Sequence, residues 1–518
     1  MTYVVTQSCC SDASCVTACP VNCIHPAPGE PGFAEAEMLY VDPATCMDCG
    51  ACTTACPVGA VVPHTALTDD QLPFLELNAS YYREHPHADR RPLAPVEVLP
   101  VLGERRPVRV AVVGAGPAGL FTADELLRQP TVEVDVLDRL PTPYGLVRAG
   151  VAPDHARTKD VTRLFARIED QPGFRYLLGV EVGTDVTHEQ LRSAYDAVVY
   201  ATGSGTGRTL DVPGSGLVQS VTATDVVAWY NGHPDHLGPP LALDTERVVV
   251  VGNGNVALDV ARVLTADPDV LAGTDIADHA LAALRGSAVR EVVVLGRRGP
   301  EHAAFTLPEL IGLRGLDGVD VVVDGPVTVT SEKTRVLAEL AARPPRGHRR
   351  RIVLRFGTTP VEVLGDARVD GIRVERAGEC EDMVAGAVVA AIGYRARPVA
   401  GLPFDEVAGR VPSDGGRVEP GVYVAGWVKR GPRGFIGTNR SCAEETAARV
   451  FEDIDAGRLA PPVAPRPTAP VDLAGWRAID AREREAGAPY RRPRVKLTDR
   501  TALLSAAAPS ARSRRSAS

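Results

Sequence analysis

An apolar run that stops at a glycine turn and restarts as a helix occurs twice in this 518-residue chain. The first copy is VRVAVVGAGPAGL (108–120); the second is RVVVVGNGNVALDVARVL (247–264). No other feature narrows the fold as much. Short Val-rich runs bounded by glycine suit strands buried on both faces of a parallel sheet. Further runs of this type end in turns: VVYATG (198–203), VREVVVLGRR (289–298), VVAAIGY (388–394) and VYVAGW (422–427). Helical segments alternate with them. The pattern predicts an α/β protein with two Rossmann-like, doubly wound dinucleotide-binding domains.

Each glycine of such a turn has its own task. Gly114 allows the tight bend, Gly116 lets the backbone approach a pyrophosphate, and Gly119 lets the helix pack on the strand. The strand VEVDVLD ends at Asp138, about 20 residues on, where a carboxylate binds a ribose hydroxyl. The second turn reads Gly252-x-Gly254-x-x-Ala257. Here the next strand ends at Gly296 and is followed by Arg297 and Arg298, which suit the 2′-phosphate of NADP. An insertion at 265–288 lengthens the spacing. PTPYGLVRAGVAPDH (141–155) is too apolar for a surface loop and is expected to line the first cofactor. His155 either acts there or only satisfies a backbone group. Trp427 either packs on a cofactor or fills the core. The loop 430–437 leads into a helix from about Thr438, whose start favours negative charge.

The cysteines are confined elsewhere. Nine of eleven lie between Cys9 and Cys56. Cys46-x2-Cys49-x2-Cys52-x3-Cys56-Pro57 has the bacterial ferredoxin spacing, in which the fourth thiolate serves the other of two clusters. Structural zinc usually sets two short Cys pairs far apart, unlike this run. Cys9-x2-Asp12-x2-Cys15-x3-Cys19-Pro20 repeats the spacing with Asp12 at the second position. Crossing the fourth cysteines gives Cys46, Cys49, Cys52 and Cys19 for a [4Fe–4S] cluster. The other set is Cys9, Cys15 and Cys56, with Asp12 at the last corner. A carboxylate holds cluster iron more weakly than a thiolate. That cluster is therefore [3Fe–4S], or [4Fe–4S] with Asp12 or water as ligand. Cys10 and Cys23 are spare and expected to pack nearby; Cys10 replacing Cys9 would break the spacing.

Residues 1–64 carry six acidic side chains and neither Lys nor Arg. The whole chain has a formal net charge of −9, which argues against nucleic-acid or anionic-membrane binding. The first residues lack the charged and apolar regions of a signal peptide, and no apolar run reaches about 18 residues, so no membrane span is expected. A cytoplasmic location is the default expectation, and clustered cysteines there read as a metal site rather than a disulfide scaffold. The expected division is an α+β ferredoxin module at 1–64, a linker at 65–106 rich in Pro, Arg and Glu towards its end, one nucleotide domain at 107–210 plus 388–505, the other at 211–387, and a disordered tail at 506–518.

Taken together, GAGPAG, PTPYGLVRAGVAPDH, GNGNVALDVAR, RRGPEHAAFTLPEL and AGWVKRGPRGFIGTNR resemble the adrenodoxin-reductase-like ferredoxin–NADP reductases, here with a bacterial ferredoxin module in front. The resemblance implies that FAD is contacted by Ala115, Asp138, Leu146, Val182, Trp427, Gly434, Phe435 and Ile436. It implies that NADP(H) is contacted by Asn253, Gly254, Asn255, Val256, Arg297, Arg298 and Glu309. It also places His155 beside the flavin, so His155 and Glu309 are the candidate catalytic residues. Asp138 stands where the family commonly has Glu. A segment like GWRAIDARERE (475–485) is part of the family, which is why 465–505 is joined to the FAD domain. The implied activity is hydride exchange between NADPH and FAD, coupled to single-electron transfer to the clusters of the fused or an external ferredoxin. The acidic module is expected to dock on a basic face of the reductase. The competing readings are an NADPH-oxidising input subunit of a glutamate-synthase-like enzyme and a non-catalytic electron carrier or redox sensor.

Overall fold

The computed structural model of the protein describes residues 2–86, 102–103 and 106–508. Three bodies follow in chain order. The first is built from two copies of one motif. Strand β1 (Tyr3–Val5) pairs antiparallel with β4 (Val61–Pro63), and β2 (Ile24–His25) with β3 (Tyr40–Val41). Between them lie two five-residue helices, α1 (Ser14–Ala18) and α2 (Ala51–Ala55). The copies match in backbone. Ser11 and Asp48 have φ of 55° and 63°; Ala13 and Gly50, each just before its helix, have 60° and 75°. Each helix ends at a cysteine, Cys19 or Cys56, in extended conformation.

The expected linker is partly structured. Residues Pro73–Glu84 form helix α3, with Phe74, Leu77, Asn78 and Tyr82 buried. Asn78 explains its attachment. Its side-chain oxygen accepts from the Val5 and Val41 N–H groups at 3.2 and 2.9 Å, and its amide donates to the Val5 carbonyl at 2.9 Å. One buried amide thus satisfies backbone groups that the short sheets leave open. The helix belongs to the first body, which extends past residue 64. Most of the remaining linker, 87–101 and 104–105, lies outside the described residues.

The second body is a six-stranded sheet. Its centre is β5 (Val108–Val113), flanked by β6 (Val132–Asp138) and β7 (Phe174–Leu178) on one side. On the other side lie β8 (Ala197–Tyr200) and the strand Val422–Val424, with Arg417–Glu419 as an antiparallel edge. The third body repeats the plan with six parallel strands around Arg247–Val251. In both sheets the order reverses beside the strand that carries the glycine turn, so each turn sits at a switch point where ligands bind in open α/β sheets.

Two expected boundaries shift. The strand Ala387–Ala390 pairs parallel with Arg247–Val251, Ala387 beside Val248, and so completes the second nucleotide sheet. Residues 388–390 therefore leave the first domain, and the chain crosses back afterwards, through the pairing of Tyr394–Arg395 with Thr206–Gly207. The tail begins later than expected, because 506 and 507 lie in the helix Arg500–Ala507; residues 509–518 lie outside the described residues. A three-stranded antiparallel sheet (358–384) was not foreseen.

The segment after Val471 packs on both nucleotide domains. Val471 bonds to Leu178, and Glu483, fully buried, accepts from Arg148. Lys496 and Lys159 both pair with buried Asp275, at 3.0 and 2.6 Å. No helix among the described residues is long and apolar enough to cross a membrane.

Candidate functional site

The two glycine turns have the same geometry. Gly114 and Gly252 have φ of 113° and 115°, and a Cβ on either would lie 2.4 or 2.3 Å from the carbonyl oxygen of Ala201 or Ala391. Only glycine fits there. A Cβ on Gly119 would fall 1.9 Å from the Gly114 carbonyl oxygen, so that position fixes the close packing of helix α4 (Pro117–Leu127) on its strand. Gly116 and Gly254 differ from these. Both have ordinary φ, −80° and −88°, and a Cβ there would meet nothing closer than 3.9 Å. Their missing side chains leave an open cradle at a helix start, which fits a pyrophosphate.

Asp138 closes the first cradle. Its carboxylate accepts from the Ala115 and Leu140 N–H groups, each at 2.9 Å, while burial pushes its acid up. Val182 lies just beyond, after Val180 donates to the Asp138 carbonyl. Leu146 is part-exposed at the rim beside Gly145, whose Cβ would come within 3.1 Å of the Gly116 Cα. At the second cradle, Asn253, Asn255 and Val256 form the turn. The Asn255 side chain accepts from the Thr306 N–H at 2.8 Å. Arg297 and Arg298 are exposed at the strand end, and neither guanidinium pairs with a carboxylate among the described residues. Two uncompensated cations there fit a phosphate dianion.

On the helix of the second cradle lies a half-buried charge cluster, built around buried Arg262, that the sequence reading only half identified. His155 and Glu309 approach to 3.6 Å. Arg262, 5% exposed, ties them together. It donates to Glu309 at 3.2 Å and to Asp259 at 2.8 Å, contacts His155 Nε2 at 2.7 Å, and pairs with Asp154 at 2.9 Å. Asp259 and Arg262 were missed. They stand on the helix Asn255–Thr265, in the motif that binds the dinucleotide. His155, Asp259 and Glu309 offer ligand atoms close enough for a cation, but the guanidinium occupies that role. Burial pushes the Asp259 acid up to about 6, against the pull of Arg262. Although burial opposes it, Arg262 draws Asp154 down to about 2.

Trp427 is half-buried rather than core. Its Nε1 donates to the Arg433 carbonyl at 3.1 Å, and its ring lies 5.5 Å from Tyr394. The following loop carries Gly434, Phe435 and Ile436, with the Phe435 N–H bonded to Thr438 at 2.6 Å.

The thiols form two groups. Cys19, Cys46, Cys49 and Cys52 line one small cavity, the set obtained by crossing the fourth cysteines. Cys23 lines it too, its sulfur 3.4 Å from that of Cys19. The bond from Cys23 and burial act in opposite senses on Cys19, and the bond prevails, holding that thiol down at about 5. Cys23 is thus a hydrogen-bond partner of Cys19 as well as a packing group. The second group is Cys9, Cys15, Cys56 and Asp12. Burial pushes the Cys15 thiol well up, and the charges of Asp12, Cys9 and Cys56 add to this. The donor sets suit iron–sulfur clusters: four thiols in one, three thiols and a carboxylate in the other. Asp12 also bonds the Ser14 hydroxyl and N–H at the start of α1, and Cys10 Sγ lies 3.7 Å from it. All eleven cysteines are free thiols.

The first body rests on the others by named contacts. Gln7 donates to Glu309 at 3.3 Å. Glu37 accepts from the Leu307 N–H at 2.6 Å and pairs with Lys333 at 3.3 Å. The Gly437 N–H donates to the Cys10 carbonyl at 2.7 Å.

Residues 108–438 match the pyridine nucleotide-disulphide oxidoreductase family, and residues 8–60 match the 4Fe-4S dicluster domain. Over 98% of its length the chain is 53% identical to a Mycobacterium tuberculosis protein named "Probable ferredoxin/ferredoxin--NADP reductase", covering 95% of that protein. It is 44% identical over 77% of its length to the M. tuberculosis NADPH-ferredoxin reductase FprA, covering 99% of it. The solved structure of FprA in complex with NADPH aligns with a TM-score of 0.74 at 42% identity, over 78% of this chain and 100% of that one.

Proposed function

The chain belongs to the ferredoxin–NADP reductases of the pyridine nucleotide-disulphide oxidoreductase family, joined to a 4Fe-4S dicluster domain, and from this membership we propose how its residues divide the work. It is an FAD-dependent oxidoreductase that uses NADPH and has an electron partner of ferredoxin type. Bound FAD interconverts a two-electron hydride and single electrons, which bound iron–sulfur clusters take one at a time.

Gly114, Gly116, Gly119 and Asp138 hold the FAD pyrophosphate and ribose, with Ala115 on the loop between. Leu146, Val182, Trp427, Gly434, Phe435 and Ile436 flank the rest of that cofactor. Asn253, Gly254, Asn255 and Val256 cradle the NADP(H) pyrophosphate, and Arg297 and Arg298 meet its 2′-phosphate. His155 and Glu309 stand beside the reacting rings, and Arg262, which contacts both, fixes them in place. Cys19, Cys46, Cys49 and Cys52 bind a [4Fe–4S] cluster. Cys9, Cys15 and Cys56 bind the second, which lacks its fourth iron because Asp12 is a weak ligand already engaged by Ser14. The protein works in the cytoplasm, a reading supported by eleven free thiols.

The observation that carries this reading is the pair of glycine turns. Their backbones coincide, but one faces a carboxylate and the other two unpaired guanidinium groups. The test is anaerobic EPR of the purified holoprotein before and after NADPH. A three-iron signal before reduction and reduced-cluster signals after NADPH are expected. Flavin bleaching with no change at either cluster would sink the internal electron path.

A further inference from the structure

The two halves of the ferredoxin module share a backbone but not an environment. Cys10, Ser11 and Asp12, on the first loop, are 2%, 3% and 5% exposed. Met47, Asp48 and Cys49, their counterparts on the second, are exposed, Met47 to 59%. The first loop is buried against the reductase at one point. A Cβ on Gly437 would lie 1.9 Å from the Ser11 carbonyl oxygen and 2.4 Å from the Asp12 nitrogen. Gly437 has an ordinary φ of −67°, so its backbone does not require glycine. The close approach of the Ser11–Asp12 peptide does. Gly437 directly follows Gly434, Phe435 and Ile436, the loop assigned above to FAD.

From this asymmetry, and resting on the electron path proposed above, we infer that the module has a fixed polarity. The Cys9–Cys15–Cys56–Asp12 site is the inlet facing the flavin loop, and the Cys19–Cys46–Cys49–Cys52 site is the outlet facing solvent. NADPH yields two electrons and one proton as hydride. The electrons leave singly through inlet and outlet to two molecules of a one-electron acceptor protein, and the proton goes to solvent. Gln7 and Glu37 add further contacts that hold the module in register, on Glu309, Leu307 and Lys333. With six acidic residues and neither Lys nor Arg in 1–64, the outlet suits an acceptor with a basic face.

The test uses full-length holoprotein. Freeze-quench EPR after mixing with NADPH follows each cluster, and cytochrome c, a basic one-electron acceptor, reads the outlet. Gly437→Ala is expected to slow NADPH reduction of both clusters at least about tenfold, since small displacements at reacting centres cost that much. Gln7→Ala, which leaves that contact intact, gives a smaller slowing of the same step. Thr54→Lys, at an exposed position on α2 outside the cluster cavity, should leave internal cluster reduction unchanged and lower only the rate with cytochrome c. If Thr54→Lys slows internal reduction while Gly437→Ala and Gln7→Ala do not, the polarity is reversed and the inference fails. It also fails if the all-cysteine cluster is reduced first in the unsubstituted protein. If NADPH reduces neither cluster in that protein, the electron path itself fails and takes the polarity with it.

Discussion

The two nucleotide turns are near-copies in backbone and opposites in chemistry. After the first turn, helix α4 places Phe121 where the second helix has Asp259, and Asp124 where it has Arg262. Phe121 is buried against Phe165, 5.6 Å between ring centroids. Asp259 and Arg262 instead build the charge cluster with His155 and Glu309. On the division of work proposed above, the first turn is a holding site packed around its cofactor, and the second adds charged groups beside the nucleotide it binds.

The comparison breaks most sharply within a single turn. Gly252→Val clashes with the Ala391 carbonyl at a φ of 115° and should cost more than about 3 kcal/mol, read as loss of folded protein in denaturant titration. Gly254→Val meets open space at an ordinary φ. It should keep its stability and lose NADPH affinity, seen as a raised KM with flavin content unchanged. Equal effects from the two substitutions would mean that the cradle is not a ligand site.

Next in size is the charge opposite the cradle. Arg297→Ala combined with Arg298→Ala removes charge-assisted bonds of about 1.5–3 kcal/mol each. The ratio of kcat/KM for NADPH over NADH should fall by at least about tenfold, with the NADH value nearly constant. A parallel loss for both nucleotides would move the 2′-phosphate elsewhere.

Asp259 separates the two helices by pH. Its acid rises from the ordinary 3.8 to about 6 on burial. The folded chain thus keeps a proton that the unfolded chain loses above 3.8. This contribution, on the order of 3 kcal/mol, is fully present below 3.8 and is lost as pH rises through 6. Asp259→Asn should flatten that part of the stability curve and remove an inflection near pH 6 from kcat with NADPH. Phe121→Leu, the equivalent position in the first helix, should leave both pH profiles unchanged in shape. The smallest effect is expected at Asp138→Asn, which weakens acceptance from Ala115 and Leu140 by about 1 kcal/mol, read as a modest rise in the FAD dissociation constant.

Much of this was legible before the structure, and for a physical reason. Cysteine spacing, glycine turns and strand ends are local codes, fixed by covalent reach and backbone geometry. The ferredoxin spacing led to grouping Cys19 with Cys46, Cys49 and Cys52, and these four thiols line one cavity. Helix α3 also had a local signal that went unread: Pro73 at its first turn, then Phe74, Leu77, Asn78, Tyr81 and Tyr82 at helical spacing. Other features had no local code. Gln7 meets Glu309 across about 300 residues of chain, and nothing around either announces the other. Asp259 and Arg262 look like the solvent face of an amphipathic helix, and only tertiary packing turns them inward. The return of 387–390 to the second sheet is likewise a matter of pairing partners, which an apolar run does not specify.

The segment after Val471 joins Leu178 in one nucleotide domain to Asp275 in the other, through Val471 and Lys496. A chain leaves the ribosome from its N-terminus and folds domain by domain. The ferredoxin module and both glycine turns thus emerge before the residues that seal Glu483 under Arg148. Residues Val471 to Lys496 therefore join the two nucleotide domains only after both glycine turns have been made.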